Sequence, residues 1–95
     1  MSGISDLCGQ KVLSVIAMIK EFTVPGLVTI TNLDDDGVSI DLENEEYNRE
    51  LLIVIGPSGK AYYSTSNLLT GVVVSEILES DESLRSLIQW LIKEV

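Results

Sequence analysis

The sequence predicts an α+β domain in which a four-stranded, largely antiparallel sheet is covered by one N-terminal helix and two C-terminal helices, in the order α-β-β-β-β-α-α. Three observations lead there. Apolar residues recur at helical spacing near both ends of the chain, short β-branched runs fill the middle, and glycine-containing turn signals separate those runs. A chain of 95 residues has room for one hydrophobic core, so residues 1–95 read as a single acidic domain.

The first helix is read over roughly residues 5–22. Leu7, Val12, Val15, Ile16, Ile19 and Phe22 form its apolar stripe, widened by Leu13 and Ala17, and Ser2 or Ser5 can cap its start. Thr23-Val24-Pro25-Gly26 stops it, since proline disfavours helix at the residue before it. A first strand spans residues 27–33 and a second spans 38–42, where Val38, Ile40 and Leu42 alternate with Ser39 and Asp41. Asp34-Asp35-Asp36-Gly37 turns the chain between them, and residues 43–50 read as a polar loop or one helical turn. Leu51-Leu52-Ile53-Val54-Ile55 has no polar alternation, which predicts a central strand buried on both faces. Gly56-Pro57-Ser58-Gly59 then leads into a fourth strand over residues 60–65.

Beyond it, Leu68, Leu69, Val72, Val73 and Ile77 fall at helical spacing and predict a middle helix over residues 68–78, although Gly71 and the three consecutive valines favour a strand by propensity. The last helix is capped at Ser80, Asp81 or Ser83. Its stripe is Leu84, Leu87, Ile88, Leu91, Ile92 and Val95, with Trp90 at the margin.

Fifteen acidic against six basic side chains, with no histidine, give a formal charge of −9. Eight of the acids lie between Asp34 and Glu50. Such a surface repels nucleic-acid phosphates and anionic headgroups, so no direct nucleic-acid or membrane partner is expected. Apolar residues are 45% of the chain and mean hydropathy is +0.29. An apolar surplus of that size points to a homo-oligomer or another protein partner covering part of the surface. Cys8 stands alone, so no intramolecular disulfide exists, and it reads as a packed thiol. The opening residues lack a basic region ahead of an apolar one, and a reducing cytoplasm is the expected setting.

Two segments resemble ligand loops and fail on their parts. Gly56-Pro57-Ser58-Gly59-Lys60-Ala61 ends in Gly-Lys, but Val54 stands where a phosphate-binding loop begins with glycine, and Ala61 replaces the hydroxyl that holds magnesium. Asn32, Asp34, Asp36, Gly37 and Glu43 match positions 1, 3, 5, 6 and 12 of a calcium-binding EF-hand. The flanks there alternate as strands, and Ile40 occupies a position that is normally polar, so no tight metal site is expected. Without histidine, and with its carboxylates in polar stretches, the chain offers no acid–base or nucleophilic set, and no enzyme and no cofactor are expected.

The resulting expectation is a non-enzymatic acidic interaction module, an inhibitor or assembly partner, that binds a basic protein surface. The alternative is a small-ligand or divalent-metal-binding domain. Partner contact is assigned to Asp34, Asp35, Asp36, Asp41, Glu43, Glu45 and Glu46 by charge, and to Tyr63 and Trp90 as the aromatic types that dominate binding hot spots.

Overall fold

The computed structural model describes residues 6–22, 27–33, 37–71 and 73–92. The described elements are α1 (Asp6–Phe22), β1 (Leu27–Asn32), β2 (Val38–Asn44), β3 (Arg49–Ile55), β4 (Ala61–Asn67), β5 (Val73–Leu78) and α2 (Asp81–Ile92). The strands form one antiparallel meander in the order β1-β2-β3-β4-β5.

Period-2 geometry sorts the strand residues between two faces. On one face Val38, Ile40, Leu42, Leu51, Ile53 and Ile55 are fully buried with Val15 and Cys8 of α1 and Leu84, Ile88 and Leu91 of α2. Both helices therefore share that face. They rest mainly on β2 and β3, which leaves β1 and β5 overhanging at the two sides. The Cys8 thiol is buried and donates to the Ile55 carbonyl at 3.6 Å, in keeping with a packed thiol. Ser80 caps α2, its Oγ accepting from the Ser83 N–H at 3.1 Å, and Lys11 of α1 pairs with Asp81 at 3.9 Å. At the other end of α2, Asn44 is 2% exposed and donates from Nδ2 to the Leu91 carbonyl at 2.9 Å, satisfying one of the carbonyls that a helix end leaves open.

Among the described residues the sheet has five strands where four were expected, and one helix follows it where two were expected. The predicted middle helix over 68–78 is a turn and then β5. Local chemistry explains the outcome. Asn67 Oδ1 accepts from the N–H groups of Leu69 and Thr70 at 3.0 and 3.1 Å, and Gly71 adopts φ 73°, so a side-chain-capped turn occupies the place of a first helical turn. Val73, Val74 and Ile77 then follow their β-branched propensity along β4. The polar loop also shrinks, because β2 runs on to Asn44 and β3 starts at Arg49, and a four-residue turn with Asn48 at φ 54° closes the hairpin. The central position of β3 is as expected, but its second face is open: Leu52 and Val54 are only partly buried.

Candidate functional site

On the face that carries no helix, Asp41 and Glu43 of β2 stand with Glu50 of β3, since Glu43 and Glu50 are cross-strand partners and Asp41 lies two residues along the same edge of the pleat. One carboxylate oxygen from each lies within 4.8 Å of the others. Asp41 Oδ1 is buried and accepts no hydrogen bond among the described residues. Desolvation, then a hydrogen bond and charge repulsion from Asp41, with Glu43 adding to both, push the Glu50 carboxyl up from 4.5 to about 7. Three carboxylates this close can leave Glu50 holding a proton near neutrality, attract a lysine or guanidinium, or offer oxygen ligands to a hard cation.

A second feature lies on the helix face, where β5 overhangs α2. A groove of about 760 Å³ is lined by Tyr63 and Thr65 of β4, Val74, Glu76 and Ile77 of β5, Glu79, and Ser83, Ser86, Leu87 and Trp90 of α2. The register builds its floor: Tyr63 faces Glu76 and Thr65 faces Val74 across the ladder, all on one side of the pleat. Helical spacing builds its wall, because residues 83, 86, 87 and 90 recur at intervals of three and four. The Tyr63 hydroxyl donates to Glu76 Oε2 at 3.0 Å, and this bond to a carboxylate pushes the phenol pKa up. Trp90 is fixed from behind by Arg49. The guanidinium stacks 5.2 Å from the Trp90 ring centre and 5.5 Å from that of Tyr47, and it donates to the Trp90 carbonyl.

The residues expected to bind a partner thus divide into separate surfaces. Asp41 and Glu43 join the open-face cluster, Glu45 and Glu46 are exposed in the β2–β3 turn, and Tyr63 and Trp90 meet in the groove. Asp34, Asp35 and Asp36 lie outside the described residues. Of the EF-hand-like set, Asn32 and Glu43 sit in the paired strands β1 and β2 rather than beside helices. Sequence reasoning missed Glu50, Glu76 and Glu79. Glu50 joins Asp41 and Glu43 through hairpin register, which becomes readable once the loop is known to be four residues long. Glu76 joins the groove only because β5 is a strand. No helix among the described residues is long and apolar enough to cross a membrane. Compared with protein-family models, curated proteins and solved structures, the chain matches none.

Proposed function

We propose that this chain is a non-enzymatic protein-binding module whose groove between β5 and α2 receives an extended partner segment carrying basic and apolar side chains. One observation carries the reading: two aromatic residues, apolar Val74 and Leu87, and the acidic residues Glu76 and Glu79 converge on one groove beside a strand edge. Tyrosine and tryptophan supply large contact area at small entropic cost, and Trp90 is already held by Arg49. The two glutamates, with no lysine or arginine among the lining residues, favour a cationic ligand over an anionic one.

The edge of β5 adds a means of holding backbone. The Gly56 N–H donates to the Lys60 carbonyl at 2.9 Å, which sets the phase of the β3–β4 ladder and, through it, of β4–β5. Val73, Ser75 and Ile77 consequently turn their N–H and C=O groups away from β4, toward the free edge. A partner strand paired there would place alternate side chains over the groove. In this reading the acidic β2–β3 region supplies long-range attraction for a basic partner, and the groove supplies the contact. The protein acts without a cofactor in a reducing cytoplasm, as an inhibitor or assembly partner.

Peptide display tests the assignment directly, since the groove itself selects its ligand. Random linear peptides selected on the wild-type protein are expected to be enriched in alternating basic and apolar residues. Their binding should fall at least tenfold in Trp90→Ala, a loss of about 1.4 kcal/mol or more. Peptides that bind Trp90→Ala and Glu76→Gln as well as wild type, but lose affinity in Asp41→Asn/Glu43→Gln, would move the binding site to the open face.

A further inference from the structure

The opposite edge of the sheet has a different chemistry. From Phe22 to Leu33 the chain carries no charged side chain, although its formal charge is −9, and β1 lies within that stretch. Edge strands are commonly guarded by lysine, proline or a bulge. Between Leu27 and Asn32 there is none of these, and all six residues pair with β2 in unbroken register. Val28 and Ile30, on the helix side of the pleat, are 38% and 50% exposed.

The direction of the free backbone groups follows from the hairpin. The Leu33 N–H donates to the Gly37 carbonyl at 2.9 Å, so Leu33 and Gly37 are a hydrogen-bonded pair. Bonded and non-bonded pairs alternate in an antiparallel ladder. Thr31 and Thr29 therefore bond to β2, and Val28, Ile30 and Asn32 present their N–H and C=O groups outward.

We infer that β1 is a homodimer interface, in which two copies pair antiparallel about a two-fold axis through Ile30 and join their sheets into one of ten strands. In that register every outward-facing residue finds an outward-facing partner. Ile30 meets Ile30, Val28 meets Asn32, and on the open face Thr29 meets Thr31, a favourable cross-strand pair.

Charge selects a second copy as the occupant and β1 as the edge. Two strongly acidic molecules approach most easily where neither bears charge. The Asp41 clusters of the two copies would be at least three strand spacings apart, about 14 Å, beyond the ~8 Å over which physiological salt screens exposed charges. Self-pairing at β5 fares worse. Centred on Ser75, it sets Glu76 opposite Val74 and brings the two Glu76 side chains to diagonal positions about 7–8 Å apart. A heterologous β1–β5 contact would give a ring or an open filament in place of a dimer. A contact one strand long is smaller than the standard ~1,600 Å² interface, so the dimer is expected to be weak and concentration-dependent.

Sedimentation equilibrium from low micromolar to near-millimolar concentration tests this. The wild type should pass from monomer to dimer and no further. Ile30→Lys and Ile30→Glu should each stay monomeric, because like charges then meet on the axis, and an equimolar mixture of the two should recover the dimer. Glu76→Lys, on the other edge, should dimerise as the wild type does. Circular dichroism establishes that each variant is folded, and the double variants Val28→Lys/Asn32→Lys and Val28→Glu/Asn32→Glu, which set like charges opposite each other in their own dimers and opposite charges in the mixture, replace the pair if either Ile30 variant unfolds. A wild type that stays monomeric throughout, a folded Ile30→Lys that dimerises normally, a folded mixture that stays monomeric, or open-ended assembly would each overturn the interface.

Discussion

On the helix-covered face of the sheet Ile40, Leu42, Leu51, Ile53 and Ile55 are fully buried, whereas the residues that alternate with them, Asp41, Glu43, Glu50, Leu52 and Val54, stay partly accessible. Leu52 and Val54 are as apolar as their neighbours. The difference comes from where two helices pack, since both take the same face of β2 and β3. Hydropathy decides that β3 is a strand, and the helices decide which half of it becomes core. The face they leave uncovered is where carboxylates can gather, and the strands they cover least, β1 and β5, provide the free edges of the sheet.

Truncation gives the largest expected contrast between the faces. Ile53→Ala should cost about 3 kcal/mol, because a fully buried residue leaves a cavity in a packed layer. Val54→Ala, one residue away on the open face, should cost less than about 1 kcal/mol, since solvent already reaches the site. Urea denaturation of the two variants measures the gap, and similar losses would mean that the open face is covered.

Asn44→Ala comes next, at roughly 1–2 kcal/mol. It removes the side-chain donor from the Leu91 carbonyl and leaves a buried acceptor at the end of α2 unpaired. Hydrogen exchange should quicken in the last turn of α2 ahead of the rest of the chain, and uniform quickening would contradict a local capping role.

The smallest effect is electrostatic. Glu50 binds its proton more tightly in the folded protein, with a pKa of about 7, than in the unfolded chain at 4.5. Its contribution to stability is therefore fully present below 4.5 and is lost as pH rises to about 7, then level. Glu50→Gln should flatten that part of the pH profile and raise the denaturation midpoint at pH 8. A titration of the Glu50 side-chain carbon by NMR with a midpoint near the ordinary carboxylate range would contradict the cluster.

Much of this architecture is legible in the residues. The span of α1 with Val15 and Ile19 at its buried face, the Ser80 region as the start of α2, the alternation of Val38, Ile40 and Leu42, and the opposite facing of Tyr62 and Tyr63 all follow from local periodicity. The margins of the α1 stripe do not: Leu7 and Leu13, expected within it, are 60% and 70% exposed, Ala17 is exposed, and Cys8 and Met18 are buried instead, because the contact with the sheet and α2 selects the packed face. β5 is not legible that way. Leu68, Leu69, Val73 and Ile77 sit at helical intervals by coincidence, and an edge strand exposed on both faces shows no clean two-residue alternation to oppose them. The carboxylate cluster is half legible: Asp41 and Glu43 share a face by spacing alone, and Glu50 reaches them through cross-strand register. The groove is the least legible part, because it depends on how far α2 stops short of the β5 edge.

The central claim, that partner contact occurs in the groove, is tested most directly by NMR titration of the isotopically labelled protein with a display-selected basic–apolar peptide. Groove binding should give saturable shifts concentrated at the Trp90 indole, Tyr63, Thr65 and the backbone of Val73 to Ile77, with the Asp41–Glu50 face little changed. Shifts concentrated instead at Asp41, Glu43 and Glu50, with the Trp90 indole unmoved at saturation, would contradict it.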